Sequence, residues 1–446
     1  MRSGEPPGVT DAGALAPPFL PRPAPFERIA KWVCIAIMAV LVLHTARSVG
    51  YWDKGTHDHS VYWMAGERMA AGDESLYDAP SNETNMVGAF IYPPAFAVVF
   101  APFTFLPRQF AYVVWAGMQL VFISMAAWLL LKTPRARSWQ TGCWVLLALL
   151  WPLMANISAG QINTLVLLLC VAGWHQLERG HDLRAGSCFA LGAHIKVLPV
   201  VLFWFLVAQR RAKAAAGMAA AGLLFMLLPL VWMVPAHGVS GGFSATWRLN
   251  ASYAQRLIGT GAQRESSSGW NADIDMWRKA EGNLAFAGMA ERHLQAGAPR
   301  KQGMWLGFLV ALAMYIAALV LAWKARDSTA RLGVMGLLMA AAVLGNQLAW
   351  QAHLVLLVMV VLPVVADCRG KPPRWYFAAM AVYMLLSELP PLLGYQLVFP
   401  NSVYVVTAAI QSYGAATLGV CVLWAASGMY WFRRRASDPD AVIADA

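Results

Sequence analysis

Long apolar runs broken by short polar or basic punctuation dominate this chain. The first runs from Ile29 to Ser48. Later ones cover roughly 88–106, 110–131, 140–156, 163–178, 186–208, 214–235, 304–323, 331–347, 352–366, 375–392 and 404–432, twelve with the first. A run of ~20 predominantly apolar residues matches the hydrocarbon thickness of a bilayer as a helix. The pattern predicts an all-α polytopic membrane protein with about 10–12 transmembrane helices plus re-entrant or juxtamembrane segments.

Charge between the runs gives them a direction. Arg22, Arg28 and Lys31 precede or open the first run, and Asp53, Asp58, Glu67, Asp73, Glu74, Asp78 and Glu83 follow it. Basic residues mark the cytoplasmic side, so the N-terminus is predicted inside and residues 51–87 form a first extracytoplasmic loop. Lys324, Arg326 and Arg331 mark a later inside loop, as do Arg369, Lys371 and Arg374, and Arg433–Arg435 close the last run. If 88–106 spans fully, Lys132, Arg135 and Arg137 fall outside, against this rule. Pro93, Pro94, Pro102 and Pro107 lack amide donors there. The preferred topology therefore has 88–106 dip and return, and makes 186–208 a hairpin broken near Pro199 so that Arg210, Arg211 and Lys213 stay inside. Residues 236–303 become a large extracytoplasmic loop, with an amphipathic helix expected around 284–295. The Pro- and Gly-rich residues 1–27 read as a disordered cytoplasmic tail, 28–435 as one transmembrane domain, and 436–446 as a second cytoplasmic tail.

Composition narrows the class. Of 446 residues, 59% are hydrophobic and 13% charged, which excludes an ordinary soluble domain and a disordered chain. The formal charge of +11 sits in the loop clusters just described and so points to membrane orientation, with no nucleic-acid partner. The six cysteines form no CxxC pair, disulfide framework or zinc spacing.

Five places carry candidate chemistry. Asp58 lies about ten residues beyond the first run, close to the membrane face, where a carboxylate can take a proton from a hydroxyl. On spacing alone a solvated loop acid is the simpler reading. His57 and His59 flank it, but neighbouring side chains diverge and no later ligand set completes a metal site. Tyr92-Pro93-Pro94 bends the chain at the interface, with Tyr92 placed to line a cavity. Asn156-Ile157-Ser158-Ala159-Gly160-Gln161-Ile162-Asn163 sets amides between two apolar runs, where they bind sugar hydroxyls or satisfy helix ends. Lys196 is the sharpest single residue. A lysine within an apolar segment costs about 2.5–3.5 kcal/mol on insertion scales and faces a cavity or a partner. An anionic phosphate is the natural ligand, with Glu388 the structural alternative. His353, in Ala349-Trp350-Gln351-Ala352-His353, sits at an outer helix junction, where a structural role competes with phosphate contact.

Taken in order, Asp58-x-x-Val61-Tyr62, Leu76-Tyr77-Asp78, Tyr92-Pro93-Pro94-x-Phe96, Gly160-Gln161-x-Asn163 and Ile195-Lys196-x-x-Pro199 resemble glycosyltransferase family 87. Its members include polyprenol-phosphate-mannose-dependent α-1,2-mannosyltransferases. The resemblance, over about residues 30–430, implies a GT-C membrane fold in the inner (plasma) membrane with its active site facing the extracytoplasmic side. It implies inverting transfer of a hexose, mannose first, from a polyprenyl-phosphate donor to a lipid or glycan acceptor, with no metal or cofactor. Asp58 would be the catalytic base, and Tyr62, Tyr92, Gln161, Asn163, Lys196 and His353 would bind substrate. The chain departs from the family's late Ser-Trp-x-His-His or Ser-Trp-x-His-Tyr pattern, because Ala349 and Ala352 replace the serine and first histidine. Asn283-Leu284-Ala285 is all that remains of an Asn-Gln-Ser pattern. The alternatives are a transporter or flippase of lipid-linked sugar, which would favour paired halves that this chain lacks, and a non-catalytic homologue that binds such a lipid.

Overall fold

The computed structural model describes residues 25–52, 58–78, 90–133, 136–259, 283–293, 300–346, 348–393 and 414–436. Among them every regular element is helical and no strand occurs, as the apolar pattern predicts. Most of both expected tails lies outside the described residues, but Pro25–Glu27, assigned above to the first tail, already belong to helix α1 (Pro25–Trp52). By length and composition, Pro25–Gly50, Arg108–Leu130, Trp305–Lys324, Ser328–Gly345 and Ala415–Arg434 can each cross a bilayer. Two bent pairs bring the candidates to seven among the described residues. The other apolar runs are shorter or broken helices.

The short helix α2 (Asp58–Ala70) follows α1. Next, α3 (Pro94–Phe100) and a tighter turn, Ala101–Phe105, fill the 88–106 run. At 1.5–2.0 Å per residue this piece is about 20 Å long, too short to span. Pro94 opens it, Pro107 ends the connection to α4 (Arg108–Leu130), and its ring face packs on α2, with His59 and Phe100 centroids 5.3 Å apart. Tyr92 before it and Tyr112 after it both pack against α2, at 5.2 Å from Tyr62 and 4.3 Å from His59.

Helices α5 (Trp139–Ala148) and α6 (Leu150–Ala159) form one path bent by 57°. Helix α7 (Asn163–Glu178) returns and α8 (Asp182–Ile195) climbs again. Lys196 is extended, and a turn at Leu198–Val201 leads into α9 (Leu202–Ala208). The break precedes Pro199 for a steric reason: in a continuous helix its ring would collide with the carbonyl of residue 195. Asp182 and Arg211 lie 3.6 Å apart, so the chain from 182 to 211 goes out and comes back, the expected hairpin. Helix α10 (Ala212–Phe225) packs closely on α8. A Cβ on Gly186 would stand 2.3 Å from the Ala214 carbonyl oxygen, so a small residue is required there.

The 214–235 run departs from expectation. It bends by 59° after α10 and continues as α11 (Leu230–Gly259), kinked at Gly238, well into the stretch read as a polar loop. Val239, Phe243 and Trp247 are exposed at four-residue spacing, and Arg248 and Arg256 reach Glu74 and Asp78 of the first loop. Mixed polar and apolar residues average to a loop in sequence, whereas at helical spacing they make a two-faced surface helix. Helix α12 (Phe286–His293) lies within the amphipathic window expected at 284–295.

The remaining bundle is α13 (Arg300–Lys324), α14 (Ser328–Gly345), a tight turn Gln351–Leu357 leading into α15 (Val358–Asp367), α16 (Arg374–Tyr383), α17 (Leu389–Leu393) and α18 (Ala415–Ala436). Polar contacts sort the helix ends into two sets. At one end Glu27 accepts from the Trp139 N–H at 3.0 Å and Arg331 grips Glu178 at 2.8 and 2.7 Å. There too, Arg434 joins Asp327 at 2.6 Å to Asp367 at 2.8 Å. Helices α1, α7, α8 and α14 lead away from that end, and the candidate residues gather at the other.

Candidate functional site

Asp58 opens α2, where the unpaired amides of a helix N-terminus favour a carboxylate. It is half-buried. Behind it Tyr62, Tyr92, Phe90, Phe96, Phe100 and Trp115 are all buried, mostly edge-to-face, as with Tyr62 and Phe96 at 4.7 Å. The Tyr62 hydroxyl donates to the Tyr92 hydroxyl at 2.9 Å, and Tyr92 in turn hydrogen-bonds the Asp58 carboxylate. Burial raises both phenols well above their ordinary range, so they remain donors.

The amide segment supplies the opposite wall. Helix α6 ends at Gly160, whose φ of 64° is left-handed and favours glycine. The Gln161 N–H reaches back to the Asn156 carbonyl at 2.9 Å and the Gly160 N–H to the Ile157 carbonyl at 3.0 Å, a Schellman-type cap that satisfies both end carbonyls. The turn presents Gln161. Its Nε2 donates to Asp58 Oδ2, while its Oε1 accepts from Lys196 Nζ at 3.3 Å. Lys196 Nζ also donates to Asn163 Oδ1 at 2.8 Å and stands 5.4 Å from the Tyr92 ring centroid. The lysine is buried, and its charge is met by amide oxygens, an aromatic face and the nearby carboxylate.

Asn163 Nδ2 contacts Asn156 Oδ1, Gln161 Oε1 and the Ala352 carbonyl, each at 3.1 Å. The last contact brings in the turn that carries His353. His353 is buried, and its Nδ1 lies 3.0 Å from the Trp350 N and 3.2 Å from the Trp350 carbonyl oxygen, accepting from the first or donating to the second according to the tautomer. Lys196 lies close enough to act on it electrostatically.

For Asp58, burial pushes the carboxyl up to about 6, while the Lys196 charge and the Tyr92 hydrogen bond oppose the rise. A carboxylate that ionises near neutrality, wrapped by donors and one amide away from an ammonium, can accept a proton on one side while positive charge is offered to an anion on the other.

Each candidate residue from the sequence thus sits in one cluster: Asp58, Tyr62, Tyr92, Gln161, Asn163, Lys196 and His353. Other expectations part from it. Glu388 does not serve Lys196; it accepts from the Tyr383 hydroxyl at 2.7 Å and from the Trp151 N–H at 2.8 Å, so it caps α6 from across the bundle. Asn283 staples the backbone, accepting from the Ala285 and Ala349 N–H groups at 3.0 and 2.9 Å. The His59 ring packs 4.3 Å from that of Tyr112, and His57 lies outside the described residues. No group of three metal-ligating side chains occurs among the described residues. Sequence reading missed Gln119, Thr164 and the Trp115 indole, whose Nε1 donates to the Gly160 carbonyl at 2.8 Å. A lone glutamine amid the apolar residues of α4 was the available signal.

The family model for glycosyltransferase family 87 matches residues 90–345, more than half of the chain. The match includes Tyr92, Gln161, Asn163 and Lys196; Asp58 and His353 lie beyond it. A curated protein of Mycolicibacterium smegmatis is 23% identical over 358 residues, covering 75% of each chain. It is a polyprenol-phosphate-mannose-dependent alpha-(1-2)-phosphatidylinositol mannoside mannosyltransferase. No solved structure matches the chain.

Proposed function

This chain belongs to glycosyltransferase family 87, and from that premise we propose that it transfers a hexose, mannose first, from a polyprenyl-phosphate donor to a lipid or glycan acceptor. It is a multi-pass membrane glycosyltransferase. The donor assignment is supported by the name of the M. smegmatis relative. We place the reaction on the extracytoplasmic face of the plasma membrane, because the site lies at the end of the bundle remote from the basic helix ends at Arg331 and Arg434.

Asp58 is the general base. It takes the proton from the acceptor hydroxyl as that oxygen attacks the anomeric carbon from the face opposite the lipid phosphate. One carbon–oxygen bond forms, the bond to phosphate breaks, the configuration inverts, and polyprenyl phosphate leaves with the bonding electrons. Lys196 meets the charge that grows on the leaving phosphate, and the His353 imidazole is the second group assigned to it. Gln161 and Asn163 hold Lys196 and offer their amides to sugar hydroxyls. Tyr92 backs the carboxylate with Tyr62 behind it. Neither a nucleotide nor a metal is needed in this scheme.

The observation that carries the reading is the Gln161 side chain, which bonds the carboxylate with its nitrogen and the ammonium with its oxygen. A purely structural ion pair would gain more from direct contact. The test is Asp58→Asn, which keeps shape and removes basicity. Transfer of labelled sugar from polyprenyl phosphate to membrane lipids should fall about 10²–10⁴-fold, the usual worth of a general base, at unchanged protein level. Wild-type transfer by that variant would refute the assignment.

A further inference from the structure

Gln119 lies fully buried on α4. Its side chain reaches three separate parts of the amide segment. Nε2 donates to the Gln161 main-chain carbonyl at 2.6 Å. Oε1 accepts from Asn156 Nδ2 at 3.0 Å and from the Thr164 hydroxyl. Asn156 Nδ2 also reaches the Gln161 carbonyl, at 3.2 Å. One side chain therefore ties the last turn of α6, the connecting residue and the first turn of α7.

Residue 161 stands at a helix break, and its carbonyl is outside the α6 and α7 ladders. A buried carbonyl without a partner costs on the order of a hydrogen bond's desolvation, and an amide buried without partners costs as much again. Each satisfies the other here. The consequence reaches further than stability. The Gln161 amide must point its N–H at Asp58 and its oxygen at Lys196. Reversed or displaced, it would set oxygen against carboxylate and N–H against ammonium.

We propose that Gln119 is a positioning residue for the Asp58 base, acting through the Gln161 main chain. This rests on the reading of Asp58 given above. The groups facing Asp58 are Tyr62 of α2, Tyr92, Lys196 beyond α8 and Gln161, with His353 behind Lys196. Among these Gln161 is the one that Gln119 touches. A hydrogen bond donated to a carboxylate favours its ionised form, so loosening Gln161 raises the pH at which Asp58 ionises.

The test uses the full-length enzyme in lipid nanodiscs with polyprenyl-phosphate mannose. For Gln119→Met, similar in length and without polar atoms, kcat/KM at neutral pH should fall about ten- to a hundredfold from misplacement alone, and its acid limb should move up by about one unit. Gln161→Met should move the limb the same way, and the double variant should be no worse than Gln161→Met, since both act on one contact. If Gln119→Met does not accumulate, Thr164→Val removes only the hydroxyl that orients Gln119 and should move the limb in the same direction. An unmoved limb, or losses that add in the double variant, overturns the proposal and leaves Gln119 a packing residue. An active Asp58→Asn enzyme overturns the base assignment and this proposal with it. An inactive one beside an unmoved limb overturns the Gln119 role alone.

Discussion

Replacing Lys196 by methionine removes a charge at nearly constant volume. Lys196 Nζ is 3.3 Å from Gln161 Oε1, and Asp58 is bonded to Nε2 of the same amide, which sets the two charges roughly 6 Å apart. At an effective dielectric of ~20 their attraction is about 3 kcal/mol. At roughly 1.4 kcal/mol per unit this corresponds to about 2 pH units on Asp58. Water entering the emptied site will screen part of it, so a rise of about 1–2 units is expected. The sign follows from the charge: without the cation the carboxylate form is less favoured, and Asp58 ionises at higher pH. Because the base must be ionised, kcat/KM for the wild-type enzyme should decline as pH falls through about 6. In Lys196→Met that decline should already begin between about pH 7 and 8. The assay is kcat/KM against pH with the lipid-phosphate donor varied, since this ratio reports the free enzyme. A general loss at every pH is also expected, because phosphate has lost its cation. Lys196→Arg keeps the charge and should return the limb towards its wild-type position even if donor affinity suffers from the different head-group shape. A Lys196→Met limb that coincides with wild type would refute the coupling, and with it the view that the ammonium and carboxylate share one site.

Two further outcomes follow. Gly160→Ala forces a Cβ into left-handed backbone at a cost of about 1 kcal/mol. A small drop in the thermal midpoint in detergent should accompany a larger drop in transfer, because the turn aims Gln161; wild-type transfer would show that the turn does not matter. For orientation, a membrane-impermeant thiol reagent applied to intact cells should label Asp78→Cys and spare Lys371→Cys, and the opposite pattern would invert the proposed face.

The helical class, the short proline-bounded helix within 88–106 and the break before Pro199 were legible because they depend on local rules: run length, missing amide donors and ring sterics. Lys196 was legible because charge in an apolar segment demands an explanation. Gln119 and Glu388 were not, since a single polar residue in a hydrophobic run gives no sign of its partner. Those partners come from 42 residues away for Gln161 and 237 for Trp151, and only the fold brings them close. Helix α11 was misread for a different cause. Its apolar face and its arginines alternate at helical spacing, and a window average cancels them.

Stability alone gives little reason for this cluster to exist. Burying an ion pair rarely beats apolar packing of the same volume, and interposing an amide weakens the attraction further. The arrangement becomes intelligible if the two charges have different clients. Direct contact would neutralise both: the carboxylate would lose its affinity for a proton and the ammonium its reach towards a phosphate. Gln161 keeps them correlated without letting them collapse together. Asn163 and Tyr92 take up the remaining demand on Lys196, and Gln119 holds the spacer by its main chain. The cost of desolvation is then borne for reactivity, and the amides, which carry no net charge, are what allow base and cation to be buried side by side at the edge of a membrane.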